Sequence, residues 1–258
     1  MEALHTEFPW LTYDVTIKIE RLRKHRALLP RFQSNGCLLV TSAVESLEDQ
    51  VLAKLDKGHT REDFIAVVQD CRAAGLALAP TFVPFTPWTT RAGYRDLLRR
   101  LVELDLVDSV SPVQLALRLL IPAGSHLLEL PDIRELLGRF DEAALAYPWK
   151  HPDPSLDELS AKLLRLVWAE QRQGTPPTRI FSQIWELAYG QPLRRCERTG
   201  ATPRKAGNTA CPTLQPNHLA VGGAGGFACQ PILSHLLTEN FDLRPRATIP
   251  YLDEPWCC

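Results

Sequence analysis

Residues 37–60, CLLVTSAVESLEDQVLAKLDKGHT, join a continuous apolar run to a polar junction and then to a helical pattern. An apolar run without alternation is typical of a strand that is buried on both faces of a parallel sheet. Two tetrads, SLED at 46–49 and TRED at 60–63, have the Ser/Thr-x-x-Asp/Glu form of a capping box, so each predicts the start of a helix. The stretch therefore predicts a β/α unit, in which a buried strand leads directly into a helix.

The same alternation continues on both sides of this unit. An alternating stretch at 13–19 and apolar runs at 76–83 and 111–122 predict further strands. Four strands are too few to close a barrel, so we expect an α/β fold of the partial (β/α) barrel type. The predicted regions are the partial barrel at 1–125, a helical extension at 126–190, and an irregular, disordered tail at 191–258 that ends in Cys-Cys.

Composition narrows the possible partners. The 258 residues are 45% hydrophobic and 23% charged, which is ordinary for a globular protein. A net charge of -1 gives no electrostatic reason to expect nucleic acid, and no apolar run is long enough to cross a bilayer. We therefore expect a cytoplasmic protein with an unidentified small-molecule or peptide substrate, and with neither nucleic acid nor membrane as a partner.

Polar side chains collect where the predicted strands end. In parallel β/α sheets this is the edge at which ligands bind. Because the strand ends lie together, we expect these side chains to form one site. They are Lys18 and Glu20 at the end of the first strand, Glu45 and Ser46 at the end of the second, residues 81–86 at the end of the third, and Gln114 and Arg118 in the fourth.

Structural roles remain alternatives for several of these residues. Arg118 can form an ion pair with Glu20 or Glu45 instead of clamping an anionic ligand. Ser46 can serve only as a helix cap. Lys57 can be a solvated side chain and His59 a turn residue.

Three stretches resemble the second half of a radical S-adenosylmethionine (SAM) domain. They are SAVES…VLAKLDKGHTREDF at 42–64, GLALAPTFVPFTPWTT at 75–90 and LALRLLIPAGSHL at 115–127. With YPWKHPDP at 147–154 and IPYLDEPWCC at 249–258, the sequence is most similar to the radical SAM proteins named for a CUAEP or CCAEP tail.

The resemblance implies roles for particular residues. The methionyl and ribose end of SAM would meet Glu45, Ser46, Lys57 and Arg118. The adenine would meet the backbone of Phe82, Val83, Pro84 and Phe85. Side chains lining the barrel lumen would be Lys18, Glu20 and Gln114, and the catalytic sulfurs would be those of Cys257 and Cys258.

The sequence lacks one part of the family pattern. Radical SAM proteins hold a 4Fe–4S cluster with a C-x-x-x-C-x-x-C loop, and an open iron binds SAM. The seven cysteines here include neither that motif nor a C-x-x-C pair, so no metal ligands are predicted. The resemblance thus implies an inactive fragment of a radical SAM enzyme, whose full-length form would use SAM and the cluster.

Two other functions stay open at this point. The first is a non-catalytic binding or scaffold remnant of a β/α barrel. The second is an unrelated β/α enzyme that uses Glu45 and Arg118 for acid–base work on an anionic substrate.

Overall fold

A computed structural model describes residues 2–193 of the chain. Its three strands are β1 (Tyr13–Thr16), β2 (Cys37–Glu45) and β3 (Ala77–Phe82), which form a parallel sheet in the order β1-β2-β3. Three of the predicted strands, and their parallel arrangement, are therefore confirmed within these residues. The result is an α/β fold with a small three-stranded sheet. The predicted partial barrel is not shown by these three strands.

Nine α-helices connect and follow the strands within residues 2–193. The helices are α1 (Glu2–Glu7), α2 (Ile19–Lys24), α3 (Leu29–Ser34), α4 (Asp49–Lys54), α5 (Arg61–Ala73), α6 (Arg91–Glu103), α7 (Pro131–Arg134), α8 (Pro154–Arg172) and α9 (Pro177–Tyr189). Short 3-10 turns lie at Arg26–Leu28, Val107–Ser109, Pro112–Leu115 and His126–Glu129. None of the helices in this part of the chain is long and apolar enough to span a membrane.

The two faces of the sheet differ in burial. Side chains alternate between faces along a strand. On one face Val40, Val44 and Phe82 are almost completely buried in the main core, with Phe64 of α5 and Leu98 of α6. On the other face Asp14 and Thr16 are exposed, and Thr41, Ala43 and Thr81 are half-buried. The second face is thus the more polar and accessible one.

One of the two predicted capping boxes forms. At α5 the Thr60 hydroxyl accepts a hydrogen bond from the Asp63 N–H (3.2 Å), while the Asp63 carboxylate accepts one from the Thr60 N–H (3.0 Å). The predicted box at 46–49 is wrong, because α4 begins at Asp49 and has Glu48 as its N-cap residue. Ser46 lies before the helix, in the turn, where its hydroxyl accepts from the Glu48 N–H at 3.0 Å.

The predicted fourth strand at 111–122 is wrong. Residues Pro112–Leu115 form a 3-10 turn, and a single parallel bridge joins Arg118 to Phe85. Pro112 has no N–H to donate to a sheet and its fixed φ suits the first turn of a helix, so it favours the observed turn. The bridge keeps residues 117–119 beside the end of β3, since Phe85 hydrogen-bonds to Leu117 and Leu119 through its backbone.

Between Arg118 and Leu193 the chain is only partly helical. Residues 126–153 contain two short helical turns around a small apolar cluster of Ile121, Ile133 and Trp149. In the stretch from 119 to 193, the long helices are α8 and α9, which pack on the main core. The predicted tail lies outside the described residues from position 194 onward, and Cys257 and Cys258 with it.

Candidate functional site at the carboxyl end of the sheet

Strand β2 ends at Glu45 in an unusual backbone conformation. Glu45 has φ = 67°, in the left-handed region that non-glycine residues adopt infrequently. Its carbonyl accepts a hydrogen bond from the Val83 N–H at 3.0 Å, and the β2–β3 register shifts between Ala43 and Glu45. The sheet therefore holds the residue in a strained conformation, and such strain is often found at functional sites.

The Glu45 side chain forms an ion pair with Lys57. Lys57 Nζ lies 2.7 Å from Glu45 Oε1, and the two side chains are 27% and 19% exposed. Two residues with positive φ flank the lysine, Asp56 at 49° and Gly58 at 68°, so the chain turns back after α4 and returns Lys57 to the end of β2. Lys57 is thus paired with a carboxylate at the predicted site rather than freely solvated.

His59 is also part of this turn, and it is buried. The residue is only 8% exposed, and its Nδ1 atom lies 3.2 Å from the Lys57 carbonyl oxygen. Because a carbonyl can only accept, the ring donates from Nδ1. Within residues 2–193 its Nε2 atom has no hydrogen-bond partner.

Lys18 and Glu20 lie beyond the strand that was predicted to carry them. β1 ends at Thr16, so Lys18 is the N-cap residue of α2 and Glu20 lies in its first turn; both are exposed. Glu20 nevertheless approaches the Lys57 turn, since a Cβ atom added at Gly58 would lie 3.4 Å from Glu20 Oε2. That Lys18 and Glu20 line the lumen of a barrel remains a prediction.

The loop after β3 is held rigidly against the core. Thr89 Oγ1 donates to the Pro84 carbonyl at 2.8 Å, and the Phe82 N–H donates to Gln114 Oε1 at 3.2 Å. The Phe85 ring packs on Tyr94, with 4.9 Å between centroids. Phe82, Pro84 and Phe85 are buried and Val83 is half-buried, so this loop offers a ligand mainly its backbone. Gln114 is buried, and its side-chain oxygen helps to position that backbone through the hydrogen bond from Phe82.

Glu48 is a residue that the sequence analysis missed. Its carboxylate accepts from the Thr90 hydroxyl (3.0 Å) and the Thr90 N–H (3.4 Å) at the start of α6. A Cβ atom added at Gly93 would fall 2.0 Å from the Glu48 carboxyl carbon, so the glycine leaves room for the carboxylate. Burial raises the pKa of Glu48, and the Thr90 hydrogen bonds oppose that rise. The available sequence signal was Gly93, which stands directly before the helical spacing of Tyr94, Leu97, Leu98 and Leu101.

Arg118 is engaged by a partner that the sequence did not indicate. Its Nη1 atom lies 2.5 Å from Asp157 Oδ1, and Nη2 donates to the Trp149 carbonyl at 3.0 Å. The guanidinium also lies over the Trp149 ring, 4.0 Å from its centroid. The ion pair is therefore with Asp157 of α8 rather than with Glu20 or Glu45, and the arrangement favours a structural role. Binding of SAM by Arg118 remains a prediction.

The described cysteines do not fit an iron–sulfur cluster. Cys37 and Cys71 are both buried, and burial raises the pKa of each thiol, that of Cys71 to about 11. A cluster needs several accessible thiolates close together. Across residues 2–193, no group of three or more His, Cys, Asp or Glu side chains could hold a metal ion.

Comparison with known proteins finds similarity in structure only. The sequence matches no family model, and no curated protein is significantly similar to it. Among solved structures, the cobalamin-dependent SAM radical enzyme OxsB with aqua-cobalamin and SAM bound aligns with a TM-score of 0.53 and 15% identity. That alignment covers 62% of this chain and 29% of the OxsB chain. OxsB with aqua-cobalamin alone gives a TM-score of 0.51 over 59% of this chain and 28% of its own.

These alignments concern the fold. The chain spans less than a third of the length of these structures, at 15% identity. Its α/β architecture is similar to that of part of the OxsB structures.

Proposed function

We propose that the carboxyl end of the sheet binds SAM, as part of a protein of the radical SAM superfamily. The observation that carries the proposal is the Glu45–Lys57 ion pair, held at a strained strand end with both side chains mostly buried. The fold similarity to an enzyme solved with SAM bound supports it. Within the superfamily, the KGHT turn and the final PWCC favour the proteins with a CUAEP or CCAEP tail.

The charges of the pair complement those of the ligand. The methionyl part of SAM carries an ammonium group and a carboxylate next to a cationic sulfonium. Glu45 would bind the ammonium group and Lys57 the carboxylate, so that each charge leaves its present partner for a new one. No buried charge would then be left unpaired, which is the costly outcome for such sites.

The adenine end would meet a preorganised backbone. The hydrogen bonds from Thr89 and to Gln114 fix the loop at Phe82–Phe85 before any ligand binds. A ligand that binds a rigid loop loses less free energy to ordering, which raises affinity.

For the described residues we propose SAM binding and not radical chemistry. Bound 4Fe–4S would supply the electron that cleaves SAM, and the described cysteines do not provide its ligands. Any cluster would need thiolates from other residues or from another protein. The inactivity expected from the sequence accordingly stays part of this proposal.

The test is SAM binding by the purified chain, measured by calorimetry or equilibrium dialysis. We expect Lys57→Met and Glu45→Gln each to weaken binding about tenfold, because each removes one charge-assisted hydrogen bond. The matched control is Lys54→Met, since Lys54 pairs with Asp132 Oδ2 at 2.8 Å on the surface. An equal loss in the control, or no SAM binding by the parent chain, would contradict the proposal.

A non-catalytic scaffold is the second candidate, favoured by the unsuitable cysteines and by the structural engagement of Arg118. It predicts no affinity for SAM in the same experiment. The acid–base enzyme with Glu45 and Arg118 has less support, because those residues pair with Lys57 and Asp157 and not with each other.

A further inference from the structure

Helix α8 has a second apolar face that the described chain does not cover. Its inner face buries Leu156, Leu159, Leu163 and Val167 in the core. On the outside, Leu164 is 38% exposed and Trp168 is 50% exposed. We call the residues of this side the α8 outer face; they are Leu164, Arg165, Trp168, Ala169 and Arg172.

The composition of the α8 outer face is that of a binding surface. Tryptophan and arginine are enriched in protein interfaces and carry much of their binding energy. Within residues 2–193, neither Arg165 nor Arg172 takes part in an ion pair. The face therefore combines an apolar centre with two available positive charges, and it suits an apolar segment that carries acidic residues.

The chain itself contains such a segment. Residues 231–242, PILSHLLTENFD, have apolar side chains at Ile232, Leu233, Leu236, Leu237 and Phe241, a spacing that would place them on one side of a helix. The same stretch has two acidic residues, Glu239 and Asp242, and no lysine or arginine. Its chemistry is thus complementary to that of the α8 outer face.

The connection is long enough to allow the contact. Residues 194–230 separate this segment from Leu193, and fully extended they would span roughly 120 Å. Helix α8, with 19 residues, is only about 28 Å long. Closing such a loop costs little more free energy than closing a shorter one.

We propose that residues 231–242 dock on the α8 outer face of the same molecule. Their apolar side chains cover Leu164 and Trp168, and Glu239 and Asp242 face Arg165 and Arg172. This contact brings the C-terminal quarter of the chain back onto the β/α core, and it does not depend on SAM binding.

Site-specific photo-cross-linking of the full chain tests the proposal. Benzoylphenylalanine replaces Leu164, which keeps Trp168 in place, and cross-linked peptides are identified by mass spectrometry. We expect cross-links to residues 231–242 of the same molecule. The control has the same photo-reactive residue at Leu187 of α9, a leucine that is 42% exposed, and should give no cross-link to 231–242.

Isotope mixing separates the possible occupants. In a mixture of ¹⁵N-labelled and unlabelled protein, cross-linked peptides of mixed label mean that a second copy occupies the face. Such peptides, cross-links to any other segment, or no cross-link at all would overturn the proposal.

Charge reversal provides a second measurement. Arg165→Glu with Arg172→Glu should reduce the yield of the cross-link severalfold, because attraction becomes repulsion. Adding Glu239→Lys and Asp242→Lys should restore it. Unchanged helicity by circular dichroism shows that each variant is folded, and an unaltered yield in the first variant or no recovery in the second would contradict the contact.

Discussion

At the scale of single residues, Glu45 shows which part of the site the sequence could predict. Its place at the end of a buried apolar run was enough to locate it at the ligand-binding edge of a parallel sheet. Its left-handed backbone was not predictable, because that conformation usually signals glycine and here depends on hydrogen bonding to β3. The ion pair between Lys57 and Glu45 was not predicted for a similar reason, because it depends on the positive φ angles of Asp56 and Gly58 in one turn.

Glu48 gives the pH-dependent prediction. Burial favours its protonated form, so its pKa is raised in the folded chain relative to the unfolded chain. The folded state therefore binds more protons in the range just above the ordinary Glu pKa, and stability falls as the pH rises through that range. We expect the parent chain to gain stability relative to Glu48→Gln when the pH is lowered from 7 to about 5.

Urea unfolding of both proteins at the two pH values measures this difference. Gly93→Ala provides a second variant, because its methyl group would force the Glu48 carboxylate away from α6 and into solvent. The pH effect should shrink in that protein. If Glu48→Gln instead gains stability relative to the parent on acidification, the hydrogen bonds from Thr90 outweigh burial and the interpretation is wrong.

At the scale of elements, the strands were easier to predict than the segments that pack on their ends. β2 and β3 each have an apolar run that fits burial in a sheet, and the TRED box fixed the start of α5. The run at 111–122 has a similar apolar content but forms a 3-10 turn and one bridge. Periodicity alone cannot separate these cases, and the deciding signal was Pro112.

The Arg118–Asp157 pair belongs to this scale, because it joins the bridge at Phe85 to α8. We expect Arg118→Ala to destabilise the chain by about 1–2 kcal/mol, through loss of stacking on Trp149 and of an ion pair whose side chains are 32% and 30% exposed. Asp157→Ala should cost less, and the double variant should cost less than the sum, because both changes remove the same interaction.

Thermal and urea unfolding measure these changes, and SAM binding is measured in parallel. Arg118→Lys is the control that keeps the charge but loses the planar group that stacks on the ring. Unchanged stability in Arg118→Ala together with weakened SAM binding would instead support the ligand clamp that the sequence suggested.

At the scale of the whole molecule, the order of strands and helices predicted the fold class but not the number of strands in the sheet. The alternation of apolar runs with helical patterns predicted a parallel α/β sheet, and this fold is what the chain shares with part of the OxsB structure. The irregular region at 126–153 was not predicted, because its Leu-rich sequence also fits helices. Its packing depends on contacts such as Trp149 with Ile121 and Ile133, which are distant in sequence.

Strand β1 forms an outer edge of the sheet. Within residues 2–193 no strand pairs with the free side of β1, where the exposed residues are Asp14 and Thr16, and Trp10 nearby is 76% exposed. An unpaired strand edge is a template for pairing with another chain. We expect the purified protein to self-associate in sedimentation experiments at micromolar concentration, and Thr16→Lys to reduce this, because like charges would oppose each other across the paired edges.

Gln50→Lys is the matched control, since it adds the same charge at an exposed position on α4, away from β1. It should leave self-association unchanged, whereas a general effect of net charge would act equally in both variants. A parent chain that sediments as a single monomeric species would show that the free edge of β1 does not recruit a second copy. Residues outside 2–193 would then be the first candidates for covering it, and hydrogen exchange at Asp14 and Thr16 would show whether their backbone N–H groups are protected.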